Sequence, residues 1–306
     1  MKKYLKRIII IAICLFIFYQ GSAVVNAGKE PAVPVEEMKA RWYDTHYYPI
    51  YYGNEEWQKH DMYDFLDIVN PPEDLLLSMP TNELAKLMQE HPCLPQMNTY
   101  LDYDGKIDYE TLFSFLEVNS DILYELLRRE DGITCLLQEY QSNDVDLKKM
   151  NEETYDEESQ AKWYAEMFGC HFIIYYSPLF SESEYIMARE ILEEKSKRYY
   201  AELEDYQLEY MSLEDLTIEP PSGEPVKKIR TKYLDEEEIQ EKEDRLEAAR
   251  IKLDEIRRQE ERERQKERAK EIRKFLVRCL IIGGTGIGVA GVVAGSVFII
   301  RKRRRT

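Results

Sequence analysis

The stretch FSFLEVNSDILYELLRREDGITCLL, residues 113–137, decides the fold. Its apolar side chains recur at spacings of three and four residues, which is the period of one face of an α-helix. They are Phe113, Phe115, Leu116, Ile122, Leu123, Leu126, Leu127, Ile133, Leu136 and Leu137. This period predicts amphipathic helices that pack against one another rather than a sheet.

The segments before this stretch show where the helical pattern begins. Thr81 or Asn82 can cap a helix, because a side-chain oxygen there accepts a free amide of the first turn. That helix should end at His91-Pro92, since proline disfavours helical geometry in the residue before it. Residues 30–75 carry several prolines and many aromatic side chains, and we expect them to form loops.

The segments after it continue the helical pattern up to a linker. Residues 182–213 form a long amphipathic stretch, which predicts a helix. Residues 172–176, FIIYY, are either a strand or, with Pro178 close behind, the buried end of a helix. We expect an all-α extracellular domain over residues 28–216, followed by a linker over residues 217–234 that contains the proline-rich run PPSGEP.

The negative charge of the chain is concentrated in this predicted domain. The whole sequence has a formal net charge of −17, whereas residues 28–232 hold 44 acidic and 19 basic residues, a net charge of −25. Residues 233–306 hold 15 acidic and 19 basic residues, a net charge of +4. Such acidity argues against nucleic acid as a partner, because phosphates need basic contacts, and it favours cations or basic partners.

Residues 1–27 have the pattern of a secretory signal peptide. Basic residues at positions 2, 3, 6 and 7 precede an apolar run from Ile8 to Tyr19. Val25-Asn26-Ala27 places small residues where a signal peptidase would cut, which predicts cleavage after the alanine. An uncleaved anchor is the alternative. Cys14 follows the large residue Ile13, so we do not expect a lipid anchor.

A second apolar segment lies near the other end of the sequence. Residues 279–300 contain no charged side chain, and a helix of that length reaches about 33 Å, enough to cross a hydrocarbon core of about 30 Å. We expect a single transmembrane helix over residues 276–300 and a basic cytoplasmic tail over residues 301–306, because basic residues beside a span stay in the cytoplasm. This predicts a single-pass type I protein of the plasma membrane. No LPxTG-type motif precedes the segment, which argues against cell-wall sorting.

Small residues recur along the predicted span. Spacings of four, three and four residues place four glycines on one helix face. They are Gly284, Gly288, Gly291 and Gly295. Such a face lets two helices approach closely in lipid, which predicts self-association or association with another membrane protein. Glycine is also common in membrane spans, so both interpretations stay open.

Residues 235–275 are predicted to form a charged helical stem. Apolar residues recur there at heptad positions, which indicates a short coiled coil. They are Ile239, Leu246, Ala249, Leu253 and Ile256. The pairs Glu238/Lys242 and Glu260/Arg264 stand four residues apart with the acid first, which stabilises a helix by about 0.2–0.5 kcal/mol per pair. We expect a spacer that is dimeric near its outer end; a disordered charged linker is the alternative.

One helical segment carries a longer sequence pattern. Residues 79–84, MPTNEL, are followed by LLRRED at residues 126–131, which leads to Leu136-Leu137 and Tyr140. This order resembles a helical segment of secreted and surface proteins of Gram-positive anaerobes, over roughly residues 78–141. The resemblance implies an all-α surface protein and carries no activity with it.

One segment resembles a calcium-binding loop. Residues 102–108, DYDGKID, match the middle of such a loop, with glycine at its sixth position. The first and twelfth positions would be Tyr100 and Thr111, where the loop needs carboxylates. We therefore interpret the segment as a polar turn.

A second group of residues has the spacing of metal ligands. Glu56, His60 and Asp64 would share one face if residues 55–67 were helical. In so acidic a chain this spacing arises readily by chance. We expect neither a metal nor another cofactor.

The sequence contains no recognisable catalytic constellation. Cys170 and His171 are adjacent, and adjacent side chains point apart in helices and strands, so they do not form a thiol–imidazole pair. Together with Cys93 and Cys135, Cys170 gives the predicted domain an odd number of cysteines and no disulfide framework. We expect a protein that is not an enzyme.

An aromatic stretch near the start of the domain is the candidate interface. Its members are Trp42, Tyr43, Tyr47, Tyr48, Tyr51, Tyr52 and Trp57. Such side chains could stack on sugars, pack against a partner, or form the core of a small subdomain. We expect a membrane-anchored surface protein that binds or scaffolds an extracellular ligand. The alternative is an anchored enzyme that acts on cell-wall or extracellular polymers.

Overall fold

The described part of the chain is helical throughout. The computed structural model describes residues 32–51, 55–95, 105–147, 157–214, 216–223 and 229–282. For residues 157, 158 and 273–282 it describes the backbone only. No strand occurs in these ranges, which confirms the predicted all-α class. The helices are α1 (Val35–Thr45), α2 (Met62–Val69), α3 (Glu73–Ser78), α4 (Thr81–Gln89), α5 (Tyr109–Asn119), α6 (Asp121–Arg128), α7 (Gly132–Ser142), α8 (Glu157–Tyr176), α9 (Glu182–Glu202), α10 (Asp205–Tyr210) and α11 (Glu236–Ile282).

The expectation of loops over residues 30–75 is wrong. Three helices, α1 to α3, occupy about half of this segment, so it is not a loop throughout. Its prolines mark helix starts: Pro34 and Pro72 hold the N-cap positions of α1 and α3, where no intrahelical amide is lost. Some of the large aromatic side chains lie on the inner faces of these helices, as with Trp42 of α1 and Phe65 of α2, which are fully buried, whereas Tyr43 of α1 is exposed.

The two ambiguous segments further along the chain are also helical. Residues 172–176 form the end of α8, and Phe172, Ile173 and Tyr176 are buried there. A helix buried on several sides lacks the polar face that identifies a helix in sequence. The stretch over residues 182–213 is two helices, because Leu203 adopts an extended conformation that separates α9 from α10.

The core of the domain is built around α4, α7 and α8. α4 packs along α7, and α8 lies against α4, α5, α7 and α9. Gly169 of α8 lets the ring of Tyr140 from α7 lie against the helix backbone, because a Cβ atom at that position would overlap the ring. The buried side chains form one hydrophobic cluster that extends from Met38 to Leu246.

The two halves of the sequence pattern, MPTNEL at residues 79–84 and LLRRED at residues 126–131, contact each other in the fold. The Arg129 guanidinium donates to the carbonyl oxygen of Met79 at 2.7 Å and to that of Leu76 at 3.1 Å. The Thr81 hydroxyl donates to Asp131 at 3.0 Å. These bonds connect the end of α6 to the start of α4.

The end of the predicted linker is packed onto the domain. We call residues 229–234 the strap. Arg230 is buried and its guanidinium donates to both carboxylate oxygens of Glu184 at 2.7 Å. The guanidinium also donates to the carbonyl oxygens of Arg129 and Glu130. Its positive charge is therefore stabilised by a carboxylate and by two backbone carbonyl groups.

The carboxylate of Glu117 holds the rest of the strap. This side chain of α5 is fully buried and accepts the backbone amides of Lys232 at 2.8 Å, Tyr233 at 2.6 Å and Leu234 at 3.1 Å. The Tyr176 hydroxyl donates to the same carboxylate at 2.6 Å. Burial raises the pKa of Glu117, although these four hydrogen bonds oppose that increase.

The first turns of α11 are also attached to the domain. Lys242 was expected to pair with Glu238 along the helix, but its ammonium lies 2.9 Å from the carboxylate of Asp121. The Arg245 guanidinium lies 2.5 Å from the same carboxylate, and Leu246 is buried. We call residues 236–246 the docked turns, and we call Glu117, Asp121 and Glu184 the anchoring carboxylates.

The contacts within the chain divide it into two units, and the boundary lies after Leu246. The second unit continues α11 from Glu247 to Ile282. Within it the predicted pair Glu260/Arg264 is present at 2.8 Å. Ala249 and Leu253 are partly exposed and Ile256 is exposed, whereas the earlier heptad residue Leu246 is covered by the first unit. The coiled coil therefore stays a prediction for the residues that follow Leu246.

The segments predicted to associate with the membrane lie largely outside the described residues. The predicted signal peptide over residues 1–27 and the span from residue 283 onward, with its four glycines, lie outside the described residues. In the part of the chain that the structure does describe, no helix has both the length and the apolar character that crossing a membrane requires.

Candidate functional site

The aromatic stretch divides into buried and exposed side chains. The buried members, which belong to the hydrophobic core, are Trp42, Tyr48 and Trp57. The exposed members are Tyr43 at 51%, Tyr47 at 37% and Tyr51 at 37% of full exposure. Tyr52 lies outside the described residues. The exposed tyrosines are therefore the ones that can contact a ligand.

The buried aromatic side chains give the exposed ones a rigid base. The indole nitrogen of Trp42 donates to the carbonyl oxygen of Ile68 at 2.8 Å, and the Tyr48 hydroxyl donates to that of Leu87 at 2.8 Å. The two rings meet edge to face with their centroids 5.1 Å apart. These contacts fix α1 and the loop after it against α2 and α4.

Tyr47 and Tyr51 lie together beside a carboxylate. Their rings lie side by side with centroids 5.8 Å apart. The Tyr47 hydroxyl donates to the carboxylate of Glu90, which directly follows α4. The rings are thereby held in one orientation while more than a third of each stays exposed.

Tyr43 repeats this arrangement with a second acid. Its hydroxyl donates to the carboxylate of Asp74, in the first turn of α3, at 2.7 Å. Tyr43, Tyr47 and Tyr51 with Asp74 and Glu90 are called the tyrosine–carboxylate surface below. Each acid belongs to a different segment of the fold from the tyrosine whose hydroxyl it accepts, so the fold is needed to create the pairs.

The phenols of this surface stay neutral at physiological pH. Partial burial, and then the hydrogen bond to Glu90, raise the pKa of Tyr47 to about 12. Partial burial and the hydrogen bond to Asp74 raise the pKa of Tyr43 to about 12. The pKa of Tyr51 is raised by burial and by Tyr47 beside it. The surface therefore combines uncharged aromatic rings with carboxylates.

His91 lies beneath the surface and supports its packing. Its ring meets that of Tyr48 edge to face with centroids 5.6 Å apart, and Nδ1 accepts the amide of Cys93 at 3.2 Å. Burial lowers the pKa of His91 to about 3, so the imidazole is neutral. A buried neutral ring in this position is a packing residue.

Glu56, His60 and Asp64, which have the sequence spacing of metal ligands, lie close together in the fold. A 3₁₀ turn ends at Lys59 and His60 is extended, so residues 55–67 are not one helix. The imidazole Nε2 of His60 lies 3.4 Å from Glu56, and Nδ1 lies 3.9 Å from Asp64. Glu56 also accepts from Lys59 at 3.0 Å. Among the described residues, no group of three His, Cys, Asp or Glu side chains is arranged to hold a metal.

The described end of the calcium-like segment serves as a turn and a helix cap. Gly105 has a φ of +81°, a left-handed conformation that glycine adopts at little cost. Asp108 caps α5 by accepting the amide of Thr111 at 3.0 Å and its hydroxyl at 2.6 Å. Residues 102–104 lie outside the described residues.

Cys170 and His171 contact different groups, as their adjacency predicted. Burial raises the pKa of the Cys170 thiol, and its hydrogen-bond partner is Tyr140. The His171 ring stacks on Tyr109, and its Nε2 donates to the carbonyl oxygen of Met211 at 2.9 Å. Burial lowers the pKa of His171 to about 3. Among the described residues, Cys93, Cys135 and Cys170 form no disulfide bond.

A buried polar network that the sequence did not predict joins α7, α8 and α9. The carboxylate of Glu166 accepts from the Lys195 ammonium at 2.8 Å and from the Tyr199 hydroxyl at 2.7 Å. The hydroxyls of Tyr199 and Tyr140 lie 2.6 Å apart. Every member is buried, so the network fixes the packing of three helices and does not present a reactive group to solvent.

The acidic partners of the exposed tyrosines could not be found in the sequence. Asp74 lies 31 residues after Tyr43, and Glu90 lies 43 residues after Tyr47. Neither distance corresponds to a helix or strand period, so no local pattern connects the pairs. Only the packing of α1 against the later helices brings them together.

Comparison with known proteins does not identify this surface. No protein-family model matches the sequence, and no curated protein or solved structure matches it either. The function must therefore follow from the chemistry of the side chains.

Proposed function

We propose that the protein is a membrane-anchored surface protein whose helical domain binds an extracellular partner through the tyrosine–carboxylate surface. The observation that carries the proposal is the pairing of exposed aromatic rings with carboxylates at two places, Tyr43 with Asp74 and Tyr47 with Glu90. Exposed tyrosine is enriched at protein interfaces, because it offers a large apolar ring with a polar end.

The orientation of the rings supports binding. A partner that docks on a flexible side chain must order it, at a cost of about 0.5–1.5 kcal/mol for each one. The hydroxyls of Tyr43 and Tyr47 are already held by carboxylates, and the ring of Tyr51 lies beside that of Tyr47. Much of that cost has therefore been met when the domain folds.

The anchoring part of the proposal rests on the sequence. Residues 1–27 have the pattern of a secretory signal, and residues 276–300 have that of a single span followed by a basic tail. This order places the acidic domain outside the cell, in agreement with the resemblance to surface proteins of Gram-positive anaerobes. The glycine face of the span supports a homodimer or a membrane-protein partner.

The positions of the titratable groups favour binding over catalysis. The pKa values of His91 and His171 are both lowered to about 3 by burial, and the Cys170 thiol is buried with a raised pKa. These groups are neutral and covered, so they serve packing.

The proposal is tested by site-specific crosslinking of the full-length protein in intact cells. A photoreactive phenylalanine at position 47 replaces an exposed tyrosine of the surface, and the same residue at position 206 replaces Tyr206, which is exposed at 61% on α10. We expect a discrete crosslinked partner from position 47 and not from position 206. Identical products from both positions would contradict the proposal.

The alternative activity needs its own measurement. The full-length protein in detergent is incubated with cell-wall polymers and their hydrolysis is followed. Hydrolysis that disappears in Tyr47→Ala and persists in Tyr206→Ala would show that the surface is a substrate platform. In that case the protein is an anchored enzyme.

A further inference from the structure

We propose that the tyrosine–carboxylate surface binds a lysine- or arginine-rich peptide segment of the partner. This inference rests on the proposed function and adds the chemistry of the ligand. It depends on four observations: the local charge, the way the domain binds its own cations, the lack of ion pairs at the two surface acids among the described residues, and the spacing of the rings.

The surface lies in a strongly acidic part of the domain. Residues 32–95 contain twelve acidic and four basic residues. Three of those basic residues already lie against local carboxylates, since Lys39 is 2.6 Å from Asp67, Lys59 is 3.0 Å from Glu56, and Arg41 is 3.9 Å from Glu37. The resulting negative potential attracts a basic segment and repels an acidic one.

The domain binds two of its own lysines with a tyrosine ring and a carboxylate. The Lys195 ammonium lies 4.5 Å from the centre of the Tyr140 ring and 2.8 Å from Glu166. The ammonium of Lys242 lies 5.4 Å from the centre of the Tyr124 ring and 2.9 Å from Asp121. In each case the ring contributes a cation–π contact and the acid contributes an ion pair.

The exposed pairs contain the same two groups without the cation. Among the described residues, neither Asp74 nor Glu90 forms an ion pair, although each accepts a tyrosine hydroxyl. A carboxylate that accepts one hydroxyl keeps further lone pairs for an ammonium or guanidinium group. Arginine suits this arrangement best, because its planar group can stack on one ring and donate to the acid beside it.

The spacing of the rings fits an extended peptide. The centroids of Tyr47 and Tyr51 are 5.8 Å apart, and a cation within about 6 Å of a ring centroid is attracted to it. Successive side chains on one face of an extended peptide are about 6.5–7 Å apart. Basic side chains at alternate positions can therefore occupy neighbouring parts of the surface.

The experiment measures peptide binding to the full-length protein in detergent or nanodiscs. The probe is a fluorescent octa-arginine peptide, and an octa-glutamate peptide and a hexamer of N-acetylglucosamine are compared with it. Glu90→Gln and Tyr47→Ala alter the surface. Glu190→Gln and Tyr206→Ala are the matched controls, because both residues are exposed on α9 and α10.

We expect octa-arginine to bind and octa-glutamate not to bind. Glu90→Gln and Tyr47→Ala should each weaken binding about three- to tenfold, because each removes one contact to the cation, and added salt should weaken it further. The control variants should bind within about twofold of wild type. Thermal unfolding of each variant confirms that the domain is still folded.

Three results would overturn the inference. They are no binding of octa-arginine, equal weakening by the surface and control variants, and binding of the sugar hexamer in its place. The proposed function fails separately, when crosslinking from position 47 yields no discrete partner. A crosslinked partner that has no basic segment would retain the proposed function and remove this inference.

Discussion

Replacing Asp121 by asparagine tests whether charge holds the docked turns to the domain. The side chain of Asp121 is 8% exposed and lies 2.9 Å from Lys242 and 2.5 Å from Arg245. Asparagine keeps the size of the side chain and removes its charge. Lys242, whose side chain is 12% exposed, then loses its counter-charge in a nearly buried position.

The expected magnitude follows from the exposure of the two partners. Breaking a buried ion pair costs about 3–5 kcal/mol, whereas an exposed pair contributes at most about 1 kcal/mol. Arg245 is 44% exposed and can turn toward water, so its loss is small. We therefore expect the free energy that holds residues 236–246 on the domain to fall by about 2–3 kcal/mol.

Hydrogen exchange of the backbone amides is the suitable assay, because it reports local opening. A loss of 2–3 kcal/mol makes exchange about 30- to 150-fold faster. This acceleration should be confined to the docked turns, while the amides of α4 and α7 keep their wild-type rates. The control is Glu247→Gln, which removes an exposed pair with Arg250 on the same helix and should change nothing measurable.

One result would refute this reasoning. If residues 236–246 exchange at the wild-type rate in Asp121→Asn, charge does not hold them. The burial of Leu246 would then be the main contact. Leu246→Ala should in that case produce the acceleration that Asp121→Asn failed to produce.

Three further predictions concern pH, packing and the membrane. Burial alone would raise the pKa of Asp121, but Lys242 and Arg245 outweigh it and lower the pKa. The stabilisation is therefore present above about pH 4, the ordinary range of an aspartate, and is lost as the pH falls through the lower folded-state value. The free energy of opening of the docked turns, taken from exchange corrected for the pH dependence of the intrinsic rate, should fall from about pH 5 to about pH 2 by more in wild type than in Asp121→Asn. Gly169→Ala should lower the free energy of unfolding in urea by about 1–3 kcal/mol, because the new methyl group overlaps a buried ring; an increase would show that the helix tolerates alanine there. Replacing Gly288 and Gly291 by isoleucine should reduce dimers in a membrane association assay, and an unchanged dimer fraction would exclude the glycine face as the contact.

The helical class could be predicted from the sequence because it depends on local periodicity. The stretch over residues 113–137 has a helical period, and the structure places α5, α6 and most of α7 there. The prediction failed over residues 30–75, where proline and aromatic residues suggested loops. A helical segment with proline at its N-cap and tyrosine on its exposed face has the amino-acid composition of a loop. Only the packing of the segment in the fold distinguishes the two.

The candidate site was predicted only in part, for a physical reason. Aromatic composition identified Tyr43, Tyr47 and Tyr51, but which rings would be exposed depends on the contacts of α1 with α2 and α4. The acids Asp74 and Glu90 were not identified at all, because their pairing with the tyrosines is a property of the tertiary structure. The packing of the strap could not be predicted from the linker-like composition for the same reason, since its partners are more than 45 residues away in sequence.

The anchoring carboxylates determine where the helical domain can be cut for recombinant work. A fragment that ends at Leu216, the boundary suggested by composition, would lack Arg230, Lys242 and the strap amides. Glu117 and Glu184 would then be exposed to water or left in the core without their partners, and either outcome destabilises the fold. A fragment that extends through Leu246 retains every one of these contacts, and is the smallest piece that should fold as the intact domain does.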